Sequence, residues 1–337
     1  MTVPERSPQV SLVIPVRNGE RTIRTCIESV IAIRDAPHSC LCEIIVVDDR
    51  STDATAELVR AFDVTLLEGD GGGPGAARNI GWRHAASELV WFVDADCVAR
   101  PNALEPLLPL MDDNAVAGVG GSYDNALPES LLATLIHEEI VTRHLRMGER
   151  VNVLATFSVV YRRGVLEQLG GFDPRYQKAQ DAEFAYRVIE ADHELRFSRD
   201  SRVAHHHPVS LGAYLKTQSR QGYWRVFLHL RHKFPSTGDS YSSLLDHLAP
   251  PLAAVSVLSV ACVLLPYGWT IPLALLTLLL FMQLPMTCAI IARTKRAAHL
   301  LFAPMSFVRA YARAFGMSLG TLTLITSRNQ KAGRAAS

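Results

Sequence analysis

Short apolar runs alternate with amphipathic stretches along the first 240 residues of the chain. Val10–Val16, 44–47 and Leu89–Val93 are apolar runs of strand length, and each one ends in polar residues. Residues 22–33, between the first two runs, place apolar side chains at helical spacing and predict a helix. Strands that alternate with helices in this way are typical of βα units. The pattern therefore predicts an α/β domain with a largely parallel sheet.

The pattern changes after these residues. No charged residue occurs from 248 to 292. A membrane span needs about 20 apolar residues, so this stretch is long enough for two spans. Pro266 and Gly268 supply a turn between the two halves. A pair of buried core helices is the alternative, but helices of soluble proteins normally keep a polar face. We therefore predict a hairpin of two transmembrane helices.

Positive charge directly follows the apolar hairpin. Arg293, Lys295 and Arg296 place this end of the hairpin in the cytoplasm by the positive-inside rule. Because a hairpin returns the chain to its starting side, we expect the N-terminal domain in the cytoplasm as well. Residues 1–10 carry Pro, Glu and Arg rather than the apolar core of a signal peptide. The expected location is the cell membrane (inner or plasma membrane), as a multi-pass protein.

The predicted organisation has three parts. Residues 1–240 form the α/β domain, residues 241–298 form the two transmembrane helices, and residues 299–337 follow them. In the last part, Arg309 and Arg313 are four residues apart and share one helical face. We expect an interfacial amphipathic helix there, followed by a tail, with a third membrane helix as the alternative.

Composition narrows the class of protein. The 337 residues include 34 Lys and Arg against 33 Asp and Glu, and the resulting net charge of +1 argues against a nucleic-acid-binding protein. Six cysteines are scattered without a Cys-x-x-Cys pair, so they predict neither a disulfide framework nor a zinc site. A soluble secreted protein is therefore excluded, and no nucleic-acid partner is expected.

Aspartates follow two of the apolar runs. The second run ends in Asp48-Asp49, and the third is followed by Asp94-Ala95-Asp96. Ligands of open α/β sheets bind at the carboxyl ends of the strands, so we expect these carboxylates at a binding edge. Asp94 and Asp96 on one short turn could face the same divalent cation, since hard cations prefer oxygen ligands. An aspartate-rich turn without a metal is the alternative.

Five segments together carry a family resemblance. They are 11–18 (SLVIPVRN), 45–53 (IVVDDRSTD), 75–81 (GAARNIG), 92–96 (FVDAD), and 170–173 (GGFD) with Gln180-Asp181. In order and spacing they resemble the family-2 glycosyltransferases, which have the GT-A fold, a Rossmann-like fold with a mostly parallel sheet. The resemblance covers residues 10–222. It implies transfer of a sugar from a nucleotide-sugar donor, usually with inversion at the anomeric carbon.

The resemblance also implies a divalent cation, Mg²⁺ or Mn²⁺, as cofactor. Asp94 and Asp96 hold it in this interpretation, and the cation neutralises the charge that grows on the departing nucleoside diphosphate. Asp94 is expected to contact the nucleotide sugar as well. In some relatives a histidine completes the metal site, and His205 is the candidate here, because neutral imidazole can bind a metal. A surface or packed histidine is the alternative.

The remaining nucleotide-sugar contacts are assigned by resemblance. Asp49 accepts hydrogen bonds from the base or the ribose, which a carboxylate can do. Pro15 begins a loop that walls the nucleotide pocket, and Arg17 and Asn18 line that loop. Arg78 approaches the nucleotide, with a surface arginine on a helix as the alternative.

Inverting transfer needs a base that takes a proton from the acceptor hydroxyl. Asp181 occupies the aspartate position of the family's Glu-Asp pair, and we assign the base to it. The residue before it is Gln180 rather than Glu, a departure that removes a like charge beside Asp181. Capping of the following helix is the alternative role for Asp181.

The sequence therefore predicts a membrane-tethered glycosyltransferase of cell envelope glycan biosynthesis. It would act at the cytoplasmic membrane face on a lipid-linked or glycan acceptor, because tethering confines enzyme and acceptor to one surface. Transfer to polyprenyl phosphate itself is one alternative, since a phosphate needs no deprotonating base. A catalytically silent scaffold that keeps the nucleotide pocket is another, and a nucleotidyltransferase is a third.

Overall fold

The structure is a computed structural model that describes residues 9–232 and 239–335, with side chains described as far as residue 326 in the last helix. The chain divides into two compact units. The first, called here the sheet unit, comprises Met1–Pro128 and His144–His207. The second, called the helical unit, comprises Glu129–Arg143 and Pro208–Ser337. The helical unit therefore takes one segment from the middle of the chain in addition to its C-terminal part.

One sheet of nine strands forms the centre of the sheet unit. Its order is β3-β2-β1-β4-β8-β6-β9-β5, and β7 pairs with β9. The strands are β1 (Val10–Val16), β2 (Leu41–Asp48), β3 (Thr65–Glu68), β4 (Leu89–Val93), β5 (Cys97–Ala99), β6 (Val116–Asn125), β7 (Arg150–Val151), β8 (Ser158–Arg162) and β9 (Glu194–His205).

The sheet is parallel in its first half and mixed in its second. β1 pairs in parallel with β2 and β4, and β2 pairs in parallel with β3. Beyond β4, β8 runs antiparallel to both of its neighbours, and β5 and β7 run antiparallel to β9. β6 and β9 pair in parallel. The predicted α/β fold is confirmed, and the antiparallel strands are an addition that the βα pattern did not predict.

The hydrophobic core runs along β1, β2 and β4 and continues into β5, β6, β8 and β9. Every residue of β1 and of β4 is buried, as expected for strands that are covered on both faces. The described residues of the sheet unit form five α-helices: α1 (Ile23–Arg34), α2 (Thr55–Arg60), α3 (Pro74–His84), α5 (Arg163–Leu169) and α6 (Gln180–Glu190). Helix α3 lies so close to the sheet that a Cβ on Gly81 would come within 2.3 Å of the Val13 side chain. Glycine is therefore required at this contact.

Six helices make up most of the helical unit. They are α4 (Leu131–His144, of which the last residue belongs to the sheet unit), α7 (Leu211–Arg231), α8 (Leu244–Leu258), α9 (Thr270–Phe281), α10 (Leu284–Thr294) and α11 (Phe302–Ala335). The helix predicted after residue 299 is thus present as α11.

In the described part of the chain, two helical stretches are long and apolar enough to cross a membrane, judged by length and composition alone. They are Leu244–Leu264 and Thr270–Thr294, which coincide with the two predicted spans. Only 28% and 22% of their most apolar parts are buried within the protein, and side chains such as Leu258 and Leu264 are exposed. A soluble helix normally turns its apolar face to a core.

Helices α7 and α11 cross at glycines. A Cβ on Gly316 would lie 1.8 Å from the carbonyl oxygen of Ser219, and one on Gly222 would lie 2.3 Å from that of Arg313. Gly320 meets the carbonyl of Tyr223 in the same way, at 2.8 Å. Small residues at such spacing let two backbones approach closely. The crossing fixes the register of the two helices and places Arg313 against α7.

Candidate active site

The predicted metal ligands lie on the turn that follows β4. Asp94 and Asp96 lie between β4 and β5 in a tight turn, in which the Cys97 N–H donates to the Asp94 carbonyl at 3.0 Å. The Asp94 N–H donates to the carbonyl of Phe157 at 3.2 Å, which ties the turn to the segment before β8. Both aspartates therefore follow a buried strand on a backbone that is held in place.

Strand pairing brings His205 to this turn. Antiparallel pairing of β5 with β9 places His205 opposite Cys97, and the Nε2 atom of His205 lies 3.4 Å from Oδ2 of Asp96. The His205 Nδ1 atom lies 3.0 Å from Nδ1 of His207, so the hydrogen bond between the two rings fixes the orientation of His205. Orientation of a ligating imidazole through its second nitrogen is usual in metal sites.

The charges of Asp96 and His205 stabilise each other. Burial by itself would raise the pKa of Asp96, but the neighbouring His205 outweighs it and holds this pKa below its ordinary value. Burial would likewise lower the pKa of His205, and Asp96 outweighs it and raises this pKa. The Asp96 carboxylate therefore stabilises a positive charge beside it, whether that charge is a proton on His205 or a cation bound by neutral His205.

The donor set suits a divalent cation. Ligand atoms of Asp96, Cys97 and His205 lie within 4.8 Å of one another. Burial raises the pKa of the Cys97 thiol well above its ordinary value, which leaves the carboxylate and the imidazole as the ligands suited to Mg²⁺ or Mn²⁺. Such ions commonly take their other ligands from water and substrate phosphate. The residues present therefore fit the group that the sequence implies.

Asp94 has a different partner from Asp96. Arg78 of α3 donates from Nη2 to Asp94 Oδ1 in a short ion pair. The Arg78 side chain is buried, and its Nε and Nη1 atoms have no hydrogen-bond partner in the described part of the chain. A buried guanidinium with unused donors is costly unless an anion completes it. Arg78 is therefore a buried residue with unused donors beside Asp94, not a surface arginine.

Asp49 organises a glycine-rich loop. Its two carboxylate oxygens accept the N–H groups of Gly71 and Gly73, each at 2.8 Å. Both glycines have positive φ, 83° and 89°, which other residues rarely adopt. The loop leads directly into α3, which begins at Pro74. Sequence reasoning assigned Asp49 to the nucleoside and did not find this contact; the glycines between β3 and α3 were its only signal.

The three predicted residues of the first loop lie in different settings. Pro15 is buried inside β1, paired with Val47, rather than in the loop itself. Arg17 and Asn18 follow the strand and are exposed. Asn18 has a φ of 53°, and its Oδ1 accepts the N–H of Thr52 at 2.7 Å. This bond joins the loops after β1 and β2 at the carboxyl edge of the sheet.

Asp181 lies in the first turn of α6 and is partly buried. Burial raises its pKa above the ordinary value, and the charge of Asp94 raises it further. The N–H of Ala182, which donates to Asp181 Oδ1 at 2.8 Å, and the charge of Arg78 act in the opposite direction without cancelling the shift. The influence of Asp94 and Arg78 on this pKa places Asp181 in the same neighbourhood as their ion pair.

No site role was predicted for two further residues, Gln180 and Asn79. Gln180 is buried, and its Oε1 has no hydrogen-bond partner among the residues that the structure describes. Asn79 joins α3 to the Gly-Gly-Phe-Asp segment, because its side chain donates to the Phe172 carbonyl at 2.6 Å and accepts the Phe172 N–H at 2.9 Å. Gly171 lies against Asn79, where a Cβ would come within 2.3 Å of its oxygen. Both residues fall in segments that the resemblance covers.

The fold and this edge of the sheet define a class. An acidic turn after a buried parallel strand and a glycine loop that leads into a helix are typical of nucleotide-binding α/β proteins.

Comparisons with known proteins show similarity to one enzyme family. The model of Glycosyl transferase family 2 matches residues 11–170. The chain is 29% identical over 223 residues to glycosyltransferase AglE of Haloferax volcanii. This match covers 64% of this chain and 72% of AglE. The chain is also 29% identical over 237 residues to the pre-mycofactocin glycosyltransferase of Mycobacterium tuberculosis. This match covers 66% of this chain and 48% of the mycobacterial protein. Residues 11–170 therefore match the model of glycosyltransferase family 2, and the curated proteins that the chain is similar to are glycosyltransferases.

The fold agrees with this assignment. The structure resembles the mannosyltransferase PcManGT from Pyrobaculum calidifontis, solved in complex with GDP-Man and Mn²⁺, with a TM-score of 0.61 and 20% identity. The match covers 93% of this chain and 88% of that one. The sheet unit therefore has the GT-A fold. The chain spans about half the length of the pre-mycofactocin glycosyltransferase.

Proposed function

We propose that the chain is an inverting glycosyltransferase that moves a sugar from a nucleoside-diphosphate sugar to a lipid-linked or glycan acceptor at the cytoplasmic membrane face. The observation that carries the proposal is the arrangement around β4. His205 lies against Asp96, Arg78 pairs with Asp94 but keeps unused donors, and Asp181 has a raised pKa beside that pair. These are the groups that displacement of a nucleoside diphosphate by a hydroxyl requires.

The donor-binding role falls to the residues of the first half of the sheet. The free Nε and Nη1 donors of Arg78 suit diphosphate oxygens, since guanidinium binds phosphate through paired hydrogen bonds. Asp49 holds the Gly71–Gly73 backbone and so shapes the loop before α3, whose N-terminus favours an anion. Asp96 and His205 would hold Mg²⁺ or Mn²⁺, which when bound supplies positive charge for the leaving diphosphate. A structure of this fold was solved with GDP-Man and Mn²⁺, which supports this choice.

Asp181 is the proposed base. Its carboxylate takes the proton of an acceptor hydroxyl as that oxygen attacks the anomeric carbon from the face opposite the diphosphate. The bond from the anomeric carbon to the diphosphate breaks at the same time, so the configuration inverts. A raised pKa brings the carboxylate nearer to the operating pH, which makes it a stronger base than an exposed aspartate.

The membrane assignment and the acceptor rest on the apolar helices. Leu244–Leu264 and Thr270–Thr294 expose most of their apolar surface, which favours contact with lipid over burial in a core. The cations at 293–296 favour a cytoplasmic position for that end of the second span. An enzyme held at this surface meets acceptors that are held there too, which supports a lipid-linked acceptor.

The test is nucleotide release by purified full-length protein in neutral detergent. A panel of UDP-, GDP- and dTDP-linked sugars is assayed with Mn²⁺ or Mg²⁺, with and without a membrane lipid extract. We expect release from one donor that the lipid extract stimulates and that Asp96→Asn abolishes. The control variant Asp112→Asn changes an exposed aspartate that has no role in the proposed site. We expect it to leave nucleotide release unchanged.

The remaining outcomes separate the alternatives. Release that survives in Asp181→Asn contradicts the base and favours a phosphate as acceptor, because a phosphate needs no deprotonation. Absence of release across the panel, with nucleotide binding intact, contradicts transferase activity and favours a nucleotide-binding scaffold.

A further inference from the structure

The helical unit contains a cluster of buried charges that the proposed reaction does not use. Glu139 accepts hydrogen bonds from Arg143 at 2.6 Å and from Arg309 in a short ion pair. Arg143 also binds both carboxylate oxygens of Asp246, each at 2.7 Å. Two carboxylates thus neutralise two guanidinium groups, as buried ion pairs require. This part of the cluster is balanced and has a structural explanation.

A third arginine of the cluster lacks such a partner. Arg313 lies one helical turn after Arg309 on α11 and is partly buried. Its Nε donates to Oε1 of Gln218 at 2.7 Å, and among the residues described Gln218 is its sole hydrogen-bond partner. No carboxylate of that part of the chain forms an ion pair with it. A partly buried cation bonded to a neutral amide is unfavourable by itself.

Arg225 adds a second cation to the same helix crossing. Gln218, Gly222 and Arg225 are spaced along one face of α7, and Gly222 packs on the Arg313 backbone. Arg225 donates to Ser242 at 2.9 Å and lies 3.8 Å from Asp239. That carboxylate also accepts the backbone N–H groups of residues 241 and 242, so its charge is shared.

Electrostatics agree with an excess of positive charge. Burial lowers the pKa of Arg313 to about 10, and the charges of Arg309 and Arg225 act in the same direction. Tyr214 and the Asp246 carboxylate oppose this shift in the pKa without cancelling it. Burial and the charge of Arg225 lower the pKa of His229, on the same face of α7, to about 4, so His229 is neutral at pH 7. Cations therefore outnumber anions at this helix crossing, and a bound anion would relieve the excess positive charge.

We infer that Arg313, Gln218 and Arg225 form a binding site for the phosphate group of a membrane lipid. The two Nη groups of Arg313, which have no hydrogen-bond partner among the described residues, suit phosphate oxygens, and the Gln218 amide nitrogen offers a further donor. The choice of a lipid follows from position in the chain: Ser242 and Asp239, which bind Arg225, immediately precede the apolar stretch Leu244–Leu264. Exposed Leu245 and Leu248 at the start of that stretch could contact an acyl or prenyl chain.

The inference rests on the proposed function only where it identifies this lipid with the carrier of the acceptor. Binding of the phosphate itself is independent of catalysis. A phosphate monoester or diphosphate on a polyprenyl chain and the headgroup of an anionic phospholipid share the required chemistry. The experiment therefore needs arms that distinguish these two sources from free phosphate.

The test measures ligand-dependent thermal stabilisation of the full-length protein in neutral detergent, followed by intrinsic tryptophan fluorescence. The probes are a polyprenyl phosphate, the corresponding polyprenol, phosphatidylglycerol and inorganic phosphate. We expect the polyprenyl phosphate to raise Tm in the wild type, and the polyprenol and inorganic phosphate to have no effect at equal concentration. Arg313→Gln should weaken apparent affinity about tenfold or more, as loss of a charged hydrogen bond does.

Matched variants separate binding from folding. Arg220→Gln removes an exposed arginine of α7 and should bind as the wild type does. Without lipid, Arg313→Gln should have an unchanged or higher Tm, because it removes an uncompensated cation, whereas Arg309→Gln should have a lower one. Arg313→Lys keeps the charge and should retain part of the stabilisation.

Each remaining outcome is decisive. Equal stabilisation by phosphatidylglycerol supports the site and assigns its occupant to bulk anionic lipid. Stabilisation that persists in Arg313→Gln, or equal stabilisation by inorganic phosphate or by polyprenol, overturns the inference. A protein that binds the lipid but releases no nucleotide from any donor contradicts the proposed function and leaves the phosphate site standing.

Discussion

His205 Nε2 lies 3.4 Å from Asp96 Oδ2, although 108 residues separate them in the chain, and the pairing of β5 with β9 creates this proximity. The pairing places a carboxylate and an imidazole side by side on the turn that follows a buried strand. His205 is the last residue of β9, and Asp96 immediately precedes β5. The proposed metal site is thus a consequence of how the second half of the sheet is assembled.

Loss of the His205 imidazole should weaken the binding of the divalent cation more than it destabilises the fold. In His205→Asn, we expect the Mn²⁺ concentration for half-maximal nucleotide release to rise about tenfold or more, as changes around metal ligands commonly do. The measurement is a Mn²⁺ titration of release at saturating donor. His84→Asn, which changes an exposed histidine at the end of α3, serves as the control. An unchanged titration in His205→Asn would remove this residue from the metal site.

Arg78 should act mainly on donor binding. Its buried guanidinium has unused Nε and Nη1 atoms, so Arg78→Gln should raise the donor KM about tenfold or more, the effect of losing a hydrogen bond from a charged group. Steady-state kinetics with varied donor provide the measurement. Arg83→Gln, an exposed arginine on the same helix, should leave the donor KM as in the wild type. A normal donor KM in Arg78→Gln would show that its free donors do not bind substrate.

Much of the first half of the sheet could be predicted from the sequence. The bounds of β1 and β4 coincide with the apolar runs, because a strand that is buried on both faces needs an unbroken apolar sequence. The turn with Asp94 and Asp96 follows directly from this. The antiparallel strands β5 and β8 could not be predicted in the same way, since their direction depends on partners that are distant in the chain.

The candidate site was predictable in its residue types and less so in its contacts. Sequence reasoning selected Asp94 and Asp96 as equivalent ligands, whereas Asp94 pairs with Arg78 and Asp96 lies against His205. Such partners are set by side-chain geometry, which a motif does not contain. Cys97 adjoins Asp96 and His205 although no cysteine spacing indicated it. The roles assigned to these residues remain predictions.

The glycine crossing of α7 and α11 should tolerate no side chain. A Cβ in Gly316→Ala would lie 1.8 Å from the Ser219 carbonyl, so the helices must separate. We expect a loss of about 1–3 kcal/mol, typical of overpacking, and a lower Tm. Gly164→Ala is the control, because the space around that glycine is open. Equal Tm values in the two variants would contradict the close crossing.

Glu139 should make the helical unit sensitive to acid. Burial by itself would raise the pKa of Glu139, but Arg309 and Arg143 outweigh it and lower this pKa to about 2 from its ordinary value of 4.5. Because the pKa is lower in the folded state, the stabilisation is fully present above pH 4.5 and is lost as pH falls towards 2.

The variant Glu139→Gln tests this dependence. It leaves two buried arginines with less negative charge, which costs about 3–5 kcal/mol when a buried pair is broken. We expect a lower Tm at neutral pH and a shallower fall of Tm between pH 4.5 and 2 than in the wild type. Glu129→Gln, at an exposed position, should follow the wild type at every pH. Parallel Tm curves for Glu139→Gln and the wild type would contradict the proposed linkage.

The central claim is that Asp181 removes the acceptor's proton while other residues hold the donor. The most direct measurement compares Asp181→Asn with the wild type, using the donor identified by nucleotide release, in two assays: equilibrium donor binding and the rate of transfer in a single turnover. Asp192→Asn, on an exposed turn after α6, controls for the substitution itself. We expect donor affinity in Asp181→Asn to match the wild type and the transfer rate to fall about 10²–10⁴-fold, the usual contribution of a general base. A transfer rate that stays at the wild-type value would contradict the account.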